Sequence, residues 1–424
     1  MPHAEAHSHA EDLAAFIAAS PTSYHAAATV AKLLSEAGFT EQDEAADWNA
    51  KPGGHYLVRD GAVLAWRVPK GAGPKSAFRI VGSHTDSPTF KLKPNPTFSN
   101  SGWEQAAVEV YGGPLIGSWT DRELGVAGRL VTRKGKQKLV KVPDLMRIPQ
   151  LAIHLNRGVN DEGLKLDKQK QTQPVFSVRR PDLNLLDVIA AHVGLSATDI
   201  GGHDLLAYST QPGAVFGADD EFFAAGRLDN LASVHASLIA LLNTDAGDDI
   251  QVLAAFDHEE VGSSTRSGAC GPILEDVLTR TAHALGAGHD QVRQMYARSS
   301  CVSADTGHAV HPNYTGHHDP THRPLLNEGP LLKVNANQRY ASDAVGATLW
   351  QRACAVAGAP TQVFVSNNDV PCGSTIGPLT ATRLGITTVD VGVPLLSMHS
   401  AREMAGVDDL YFITRALQAY WAGA

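Results

Sequence analysis

The 424-residue chain is poor in cysteine, with only Cys270, Cys301, Cys354 and Cys372, and no two of them form a CxxC pair. That excludes a disulfide framework and a thiolate zinc knuckle, and sets a reducing cytoplasm as the expected compartment. It has no excess of basic residues either. A formal charge of -9 and an isoelectric point near 6.1 argue against a duty on nucleic acid, whose phosphates call for a basic surface. No apolar run approaches the ~18 to 20 residues that a membrane span requires, so no membrane partner is expected. The opening stretch MPHAEAHSHAEDLAAF lacks a basic segment followed by an apolar one, and therefore does not read as an export signal. Its His3, His7 and His9 are expected to be a solvated, frayed start with no role.

What is present is an ordinary globular composition, 43% hydrophobic and 19% charged, in a chain two to three times the length of a typical ~150-residue domain. Two domains, or one domain carrying a large insertion, are expected. Helical periodicity starts at Glu11, breaks at Pro21 and stops at Gly38, so two helices open the chain. Phe78, Ile80 and Val81 then read as a buried strand that delivers His84 just past its end. Between about Lys91 and Glu221 the texture changes to short β-like runs punctuated by Gly and Pro, helical only at Leu183 to Val193. Residues 91–222 hold 16 Lys+Arg against 15 Asp+Glu, unlike the acidic remainder. The expected division is 1–90 plus 223–424 for one domain and 91–222 for a β-rich insertion.

Within the insertion, Arg129 to Lys141 carries six basic residues and no acid. A nucleic-acid patch is one reading; Gly135 at the centre favours a hairpin with a solvated tip. From Leu228 the α/β texture returns, with a helix over about Asp229 to Leu242, the strand Gln251 to Phe256, strands at Ser299–Ser303, Gln362–Val365 and Thr387–Val391, and helices near Ala341–Ala357 and Asp408–Trp421. The fold class is α/β.

The chemistry gathers where strands stop. His84, Asp86, Asp229, Glu259, Glu260, Asp305 and His399 all fall in or beside such positions, the edge at which open α/β sheets bind ligands. Imidazole and carboxylate without thiolate suit zinc, cobalt or manganese in a hydrolytic site. The His84-x-Asp86 pattern carries little alone in a chain with 19 histidines, but makes sense if His84 binds a metal and Asp86 fixes its tautomer. The adjacent Glu259 and Glu260 say more. Two carboxylates at the end of a buried strand repel unless a cation or a shared proton stabilises them, so one could ligate metal while the other accepts a proton.

Over Glu11 to Arg415 the sequence resembles the M18 metallopeptidases, the aspartyl aminopeptidase group. The resemblance rests on GSHTDSPTFKLKP, GRLDNLASV, FDHEEVGS, ADTGHAVHPNY, KVNANQRYAS, NNDVPCGSTIGP and MHSARE, with YGGPLIGSWTDREL and IPQLAIHLNR inside the insertion. It implies a mixed-sheet zinc-peptidase catalytic domain with helices on both faces, interrupted by a largely β dimerisation domain, and a dodecamer built from dimers. It also implies two divalent ions per subunit, Zn2+ with Co2+ or Mn2+ as alternatives. Asp229 would bridge the pair, His84 and Asp305 would hold one ion, Glu260 and His399 the other. Glu259 would be the base towards a metal-activated water, with Asp86 and His154 as further catalytic residues, His154 acting in a neighbouring subunit's site. Lys333, with Tyr340 beside it, would select an N-terminal Asp or Glu on a peptide with a free N-terminus.

Alternatives stay open at this point. A relative with the same chemistry could prefer neutral residues such as Leu, Lys333 could be an ordinary exposed lysine beside a strand, and His154 an ordinary histidine of the insertion. A non-catalytic scaffold would need a lost ligand or base, and none is missing. His258 departs from many relatives; most histidines between His308 and His322 are expected to face solvent or a subunit contact. Cys372 lacks a recognisable activating pair and is expected to be a small buried residue.

Overall fold

A computed structural model describes residues 3–424. Its centre is a mixed nine-stranded sheet in the order Thr40–Glu41, Gly53–Arg59, Ala62–Val68, Ile250–Phe256, Phe78–His84, Ser300–Ala304, Thr387–Gly392, Leu331–Val334, Gln362–Val365. The four strands from Ile250–Phe256 to Thr387–Gly392 run parallel to one another. Ile250–Phe256 is buried at every residue, which is why its sequence is apolar throughout except for Gln251, whose amide donates to the Asp245 and Trp421 carbonyls, rather than an alternation. Its side chains still alternate between two cores: Leu253 and Ala255 pack on one face, Val252, Ala254 and Phe256 on the other.

Helices cover both faces, as expected. On the first face lie His3–Ala19, Ser23–Glu36, Leu228–Leu242, Ala344–Ala357 and Val407–Trp421, with Trp350 and Trp421 among the largest wholly buried side chains. On the second lie Ile273–Ala284, His289–Arg298 and Gly377–Leu384. Removing this much apolar surface from water is the main stabilising term of the fold.

A six-stranded antiparallel sheet, from strands between Thr89 and Ser209, forms the inserted layer and buries one face under the helix Leu185–Ala191. Arg129–Lys141 is a hairpin, Leu124–Thr132 paired with Gln137–Met146 and turning at Gly135, whose φ of +79° suits glycine. Four of its six cations are engaged by the protein: Arg129 pairs with Asp60 and Asp204, and Arg133, Lys138 and Lys141 donate to the Thr198, Val193 and Ala18 carbonyls, which leaves Lys134 and Lys136 at the exposed tip.

Two expectations need correction. The first helix begins at His3, not Glu11, and the stretch is docked rather than frayed: Ala6 and Ala10 are fully buried, and His9 packs against His235 with ring centroids 4.8 Å apart and the planes tilted by 56°. The side chain of His3 lies outside the described residues. The second correction is a third sheet of five short strands, Ala214–Phe216, Phe222–Ala225, Glu403–Gly406, Pro394–Leu396 and Gly307–His308, which the sequence reading did not foresee. It delivers two of the site residues, Asp229 and His399.

Candidate metal centre

Three parallel strands of the large sheet end level, with Phe256 opposite His84 and Ser303 opposite Gly82. His84 is therefore the last residue of its strand, Asp305 follows directly after Ala304, and Glu259 and Glu260 sit on a single tight turn, Glu259–Val261, entered through His258 in the left-handed region. The expectation that all the ligand-type residues stand at the ends of these strands holds only for this group. Asp229 and His399 come instead from the five-stranded sheet: Asp229 follows Phe222–Ala225 at the non-helical start of Leu228–Leu242, and His399, with φ +64°, follows Pro394–Leu396.

The two groups converge on Asp229. Its Oδ1 lies 3.3 Å from His84 Nε2 and its Oδ2 3.4 Å from His399 Nε2. His84 Nε2 is also 3.5 Å from Asp305 Oδ1 and 4.0 Å from Glu259 Oε2, while His399 Nε2 is 3.4 Å from Glu260 Oε2. Each imidazole thus turns one nitrogen inward and uses the other as a tether. His84 Nδ1 bonds the Asp86 carbonyl oxygen at 3.0 Å, with the Asp86 carboxylate at 3.4 Å, and His399 Nδ1 bonds the Gly113 carbonyl at 3.0 Å. Such tethering fixes the tautomer of a ligating histidine.

Electrostatics set the same cluster apart. Burial, then the charge of Asp229, pushes the Glu260 carboxyl well above its ordinary range, and burial with Asp305, Asp229 and Asp86 nearby lifts Glu259 to about 7 against the opposing pull of His84. Burial would raise Asp229 too, but hydrogen bonding to His399 and His84 carries it below the usual carboxylate range. So many buried acids in one place are costly unless a cation relieves them. Ligand atoms of His84, Asp229 and Glu260 all lie within 4.8 Å of one another, and Glu260 Oε1 is buried without a hydrogen-bond partner. The donor set fits a divalent ion bound by nitrogen and oxygen.

The inserted sheet contributes directly to this centre. Asp86 accepts from the Glu259 and Glu260 backbone N–H groups at 3.0 and 3.2 Å, and from the Tyr111 hydroxyl at 2.8 Å. Gly112, at φ +67°, brings the chain so close that a Cβ there would meet Glu260 Cβ at 3.1 Å. Leu115 N–H then donates to the His399 carbonyl. Glu403, buried, accepts the backbone N–H groups of both Asp229 and His399. Tyr111, Gly112, Gly113 and Glu403 all lie in motifs quoted above, yet nothing in residue type or spacing marks them as partners of the ligands.

Lys333 is 1% exposed, which removes the reading of an ordinary surface lysine. Its ammonium donates to the Thr306 carbonyl at 2.8 Å, lies 3.9 Å from Asp305 Oδ2 and faces the Tyr340 ring at 5.2 Å. Tyr340 is buried, and with His308, Phe364 and Cys372 it lines a cavity of about 180 Å³. Cys372 is half-buried at that wall rather than fully buried. His308, His317 and His322 are exposed as expected, while His311 and His318 are half-buried, with His318 Nε2 accepting from the His311 backbone. His154 is exposed on the turn Ile153–Leu155, beside the exposed Leu151 and Leu155.

A buried imidazole–carboxylate cluster at the strand ends of an α/β sheet defines the hydrolytic metalloenzyme class. Comparison with known proteins makes this specific. Residues 16–421 match the family profile described as aminopeptidase I zinc metalloprotease (M18). The probable M18 family aminopeptidase 2 of Streptomyces coelicolor is 52% identical, with 97% of both chains covered. Among solved structures, the cryo-EM structure of the Ape4 and Nbr1 complex superposes with a TM-score of 0.95 at 34% identity, covering 99% of this chain and 86% of that one. The S. cerevesiae mApe1 dodecamer superposes with 0.86 at 30% identity, covering 98% and 96%. The chain belongs to the M18 family of zinc metalloaminopeptidases. Among the described residues no helix is long and apolar enough to cross a membrane.

Proposed function

We propose that the protein removes N-terminal Asp or Glu from peptides with a free N-terminus, using two divalent ions, zinc in the first instance. One observation carries the two-ion reading: the Asp229 carboxylate offers one oxygen towards His84 and the other towards His399, the disposition of a bridging ligand. His84 and Asp305 would complete one site, Glu260 and His399 the other. When bound, the ions supply Lewis acidity at the scissile carbonyl and lower the acidity threshold of a water. Glu259 accepts that water's proton at its carboxylate and passes it to the leaving amine. A half-buried carboxylate that Asp86 positions through its backbone N–H, without itself being tied down, is suited to that traffic.

Lys333 supplies the cation that reads an acidic side chain, and Tyr340 shapes the wall beside it. A second reading, preference for a neutral residue such as Leu, draws on one observation: the Lys333 ammonium already faces Asp305 and the Thr306 carbonyl, so part of its charge is engaged. Residues 91–222 act as a dimerisation domain that carries His154 to a neighbouring subunit's site. The exposed apolar Leu151, Ile153 and Leu155 beside it support a covered surface. Dimers then build a dodecamer, like the mApe1 assembly, working in the cytoplasm. The test is hydrolysis of Asp-, Glu-, Leu- and Ala-p-nitroanilides, and of a peptide with and without N-terminal acetylation, before and after chelation. Chelator-sensitive release of Asp and Glu, abolished by acetylation, is expected. Faster release of Leu supports the second reading, and chelator-insensitive release overturns the metal mechanism.

A further inference from the structure

Glu403 is 2% exposed and opens the strand Glu403–Gly406, which lies between Phe222–Ala225 and Pro394–Leu396. Those two neighbours lead into Asp229 and His399. Opposite Ala225 in register, Glu403 sits where the two outgoing segments pass each other. One carboxylate oxygen, Oε2, accepts the Asp229 N–H at 3.0 Å; the other, Oε1, accepts the His399 N–H at 2.7 Å. Neither recipient is held by regular secondary structure. Asp229 has φ -79° and ψ 104° at a break in the helix, and His399 has φ +64°, in the left-handed region that few non-glycine residues occupy. Gly226 completes the close approach, since a Cβ there would meet the Ala401 carbonyl oxygen at 2.9 Å.

We propose that Glu403 is a positioning residue that sets the spacing between the Asp229 and His399 side chains, and through it the affinity of the ion held by Asp229, Glu260 and His399. The inference rests on the reading of Asp229 and His399 as metal ligands. Both groups bound by Glu403 are N–H donors, so both of its oxygens must accept. Glutamine has the same size but offers one acceptor and one donor, and must turn its amide N–H2 towards one of the two backbone N–H groups. Glu403→Gln therefore breaks one tether while leaving the packing volume intact. Residues that orient ligands in this way typically change metal affinity by 10- to 100-fold.

The experiment is a Co2+ titration of the metal-free, full-length oligomer, read by visible absorption and by bound-metal analysis. Wild-type protein should take up two Co2+ per subunit. In Glu403→Gln one of the two should bind at least about tenfold more weakly with an altered absorption band, and the kcat deficit should shrink as free metal is raised. A folded Glu403→Gln protein that binds two ions with wild-type affinity and spectrum overturns the inference. Should that variant not fold, Glu403→Asp keeps both acceptors on a shorter arm and should also weaken one ion; wild-type binding by the aspartate variant overturns it equally. A wild-type protein that takes up fewer than two ions defeats the two-metal reading itself, and the inference falls with it.

Discussion

The Tyr111 hydroxyl, from the inserted sheet, donates to Asp86 Oδ2 at 2.8 Å, and the same carboxylate accepts the backbone N–H groups of Glu259 and Glu260. The insertion is thus a wall of the metal centre as well as an added layer. Tyr111→Phe removes one charge-assisted hydrogen bond, worth about 1.5 to 3 kcal/mol. We expect kcat to fall roughly tenfold or more by that arithmetic, with metal content retained. Unchanged kcat would show that the backbone N–H groups alone hold Asp86.

Glu259→Gln should keep metals and fold but lower kcat by on the order of 10²-fold, because an amide cannot accept the proton. Asp229→Ala should lose bound metal together with activity. Metal analysis beside steady-state kinetics separates the two behaviours. More than half of wild-type kcat in a fully metallated Glu259→Gln would remove Glu259 from the role of base.

Of the fold, the buried central strands and the helices on one face of the large sheet are legible, because apolar runs and 3.6-residue periodicity are strong signals; the helices Ile273–Ala284, His289–Arg298 and Gly377–Leu384 on the other face are not among those the sequence led us to expect. Nor is the five-stranded sheet. Its strands run from two to four residues, too short for any periodicity, and pair segments as distant as Phe222–Ala225 and Glu403–Gly406. The ligand-type residues announced themselves by chemical type, and MHSARE and FDHEEVGS placed them. Glu403 and Tyr111 did not, since their work is to bond backbone groups or a carboxylate that only the folded chain brings near. Only the first two turns of the His3–Ala19 helix escape the sequence, because their histidines look hydrophilic, whereas His9 is packed against His235.

Lys333→Ala should reduce hydrolysis of Asp and Glu substrates by 10²-fold or more relative to Leu and Ala substrates, the loss of a desolvated ion pair being worth a few kcal/mol. The selectivity ratio is the measured quantity, because Lys333 also borders Asp305 and some loss is expected on every substrate. An equal loss throughout would make Lys333 structural.

Burial, reinforced by the neighbouring His235, pulls His9 from 6.5 down to about 3, so the folded chain keeps it neutral while the unfolded chain protonates it near 6.5. Its contribution is complete above about pH 6.5 and is lost as pH falls towards 3, up to about 2 kcal/mol by pH 5. His9→Leu should therefore show a smaller drop in Tm between pH 7 and pH 5 than wild type. Parallel Tm curves for the two proteins would rule out this source of acid sensitivity.

His154→Ala should lower kcat without releasing metal, and mixing it with Glu259→Gln protein under subunit-exchange conditions should restore part of the activity. Restoration needs interfaces that pair an intact base with an intact neighbouring histidine. No recovery despite demonstrated exchange, or a fully active monomer in light scattering, would remove the role of His154 across the interface.

The most direct measurement of the central claim is anomalous diffraction at the zinc edge from crystals of the zinc-loaded protein. The account predicts two peaks per subunit on either side of the Asp229 carboxylate, one beside His84 and Asp305 and one beside Glu260 and His399. A single peak, or density that leaves Asp229 bound to one ion only, would contradict it.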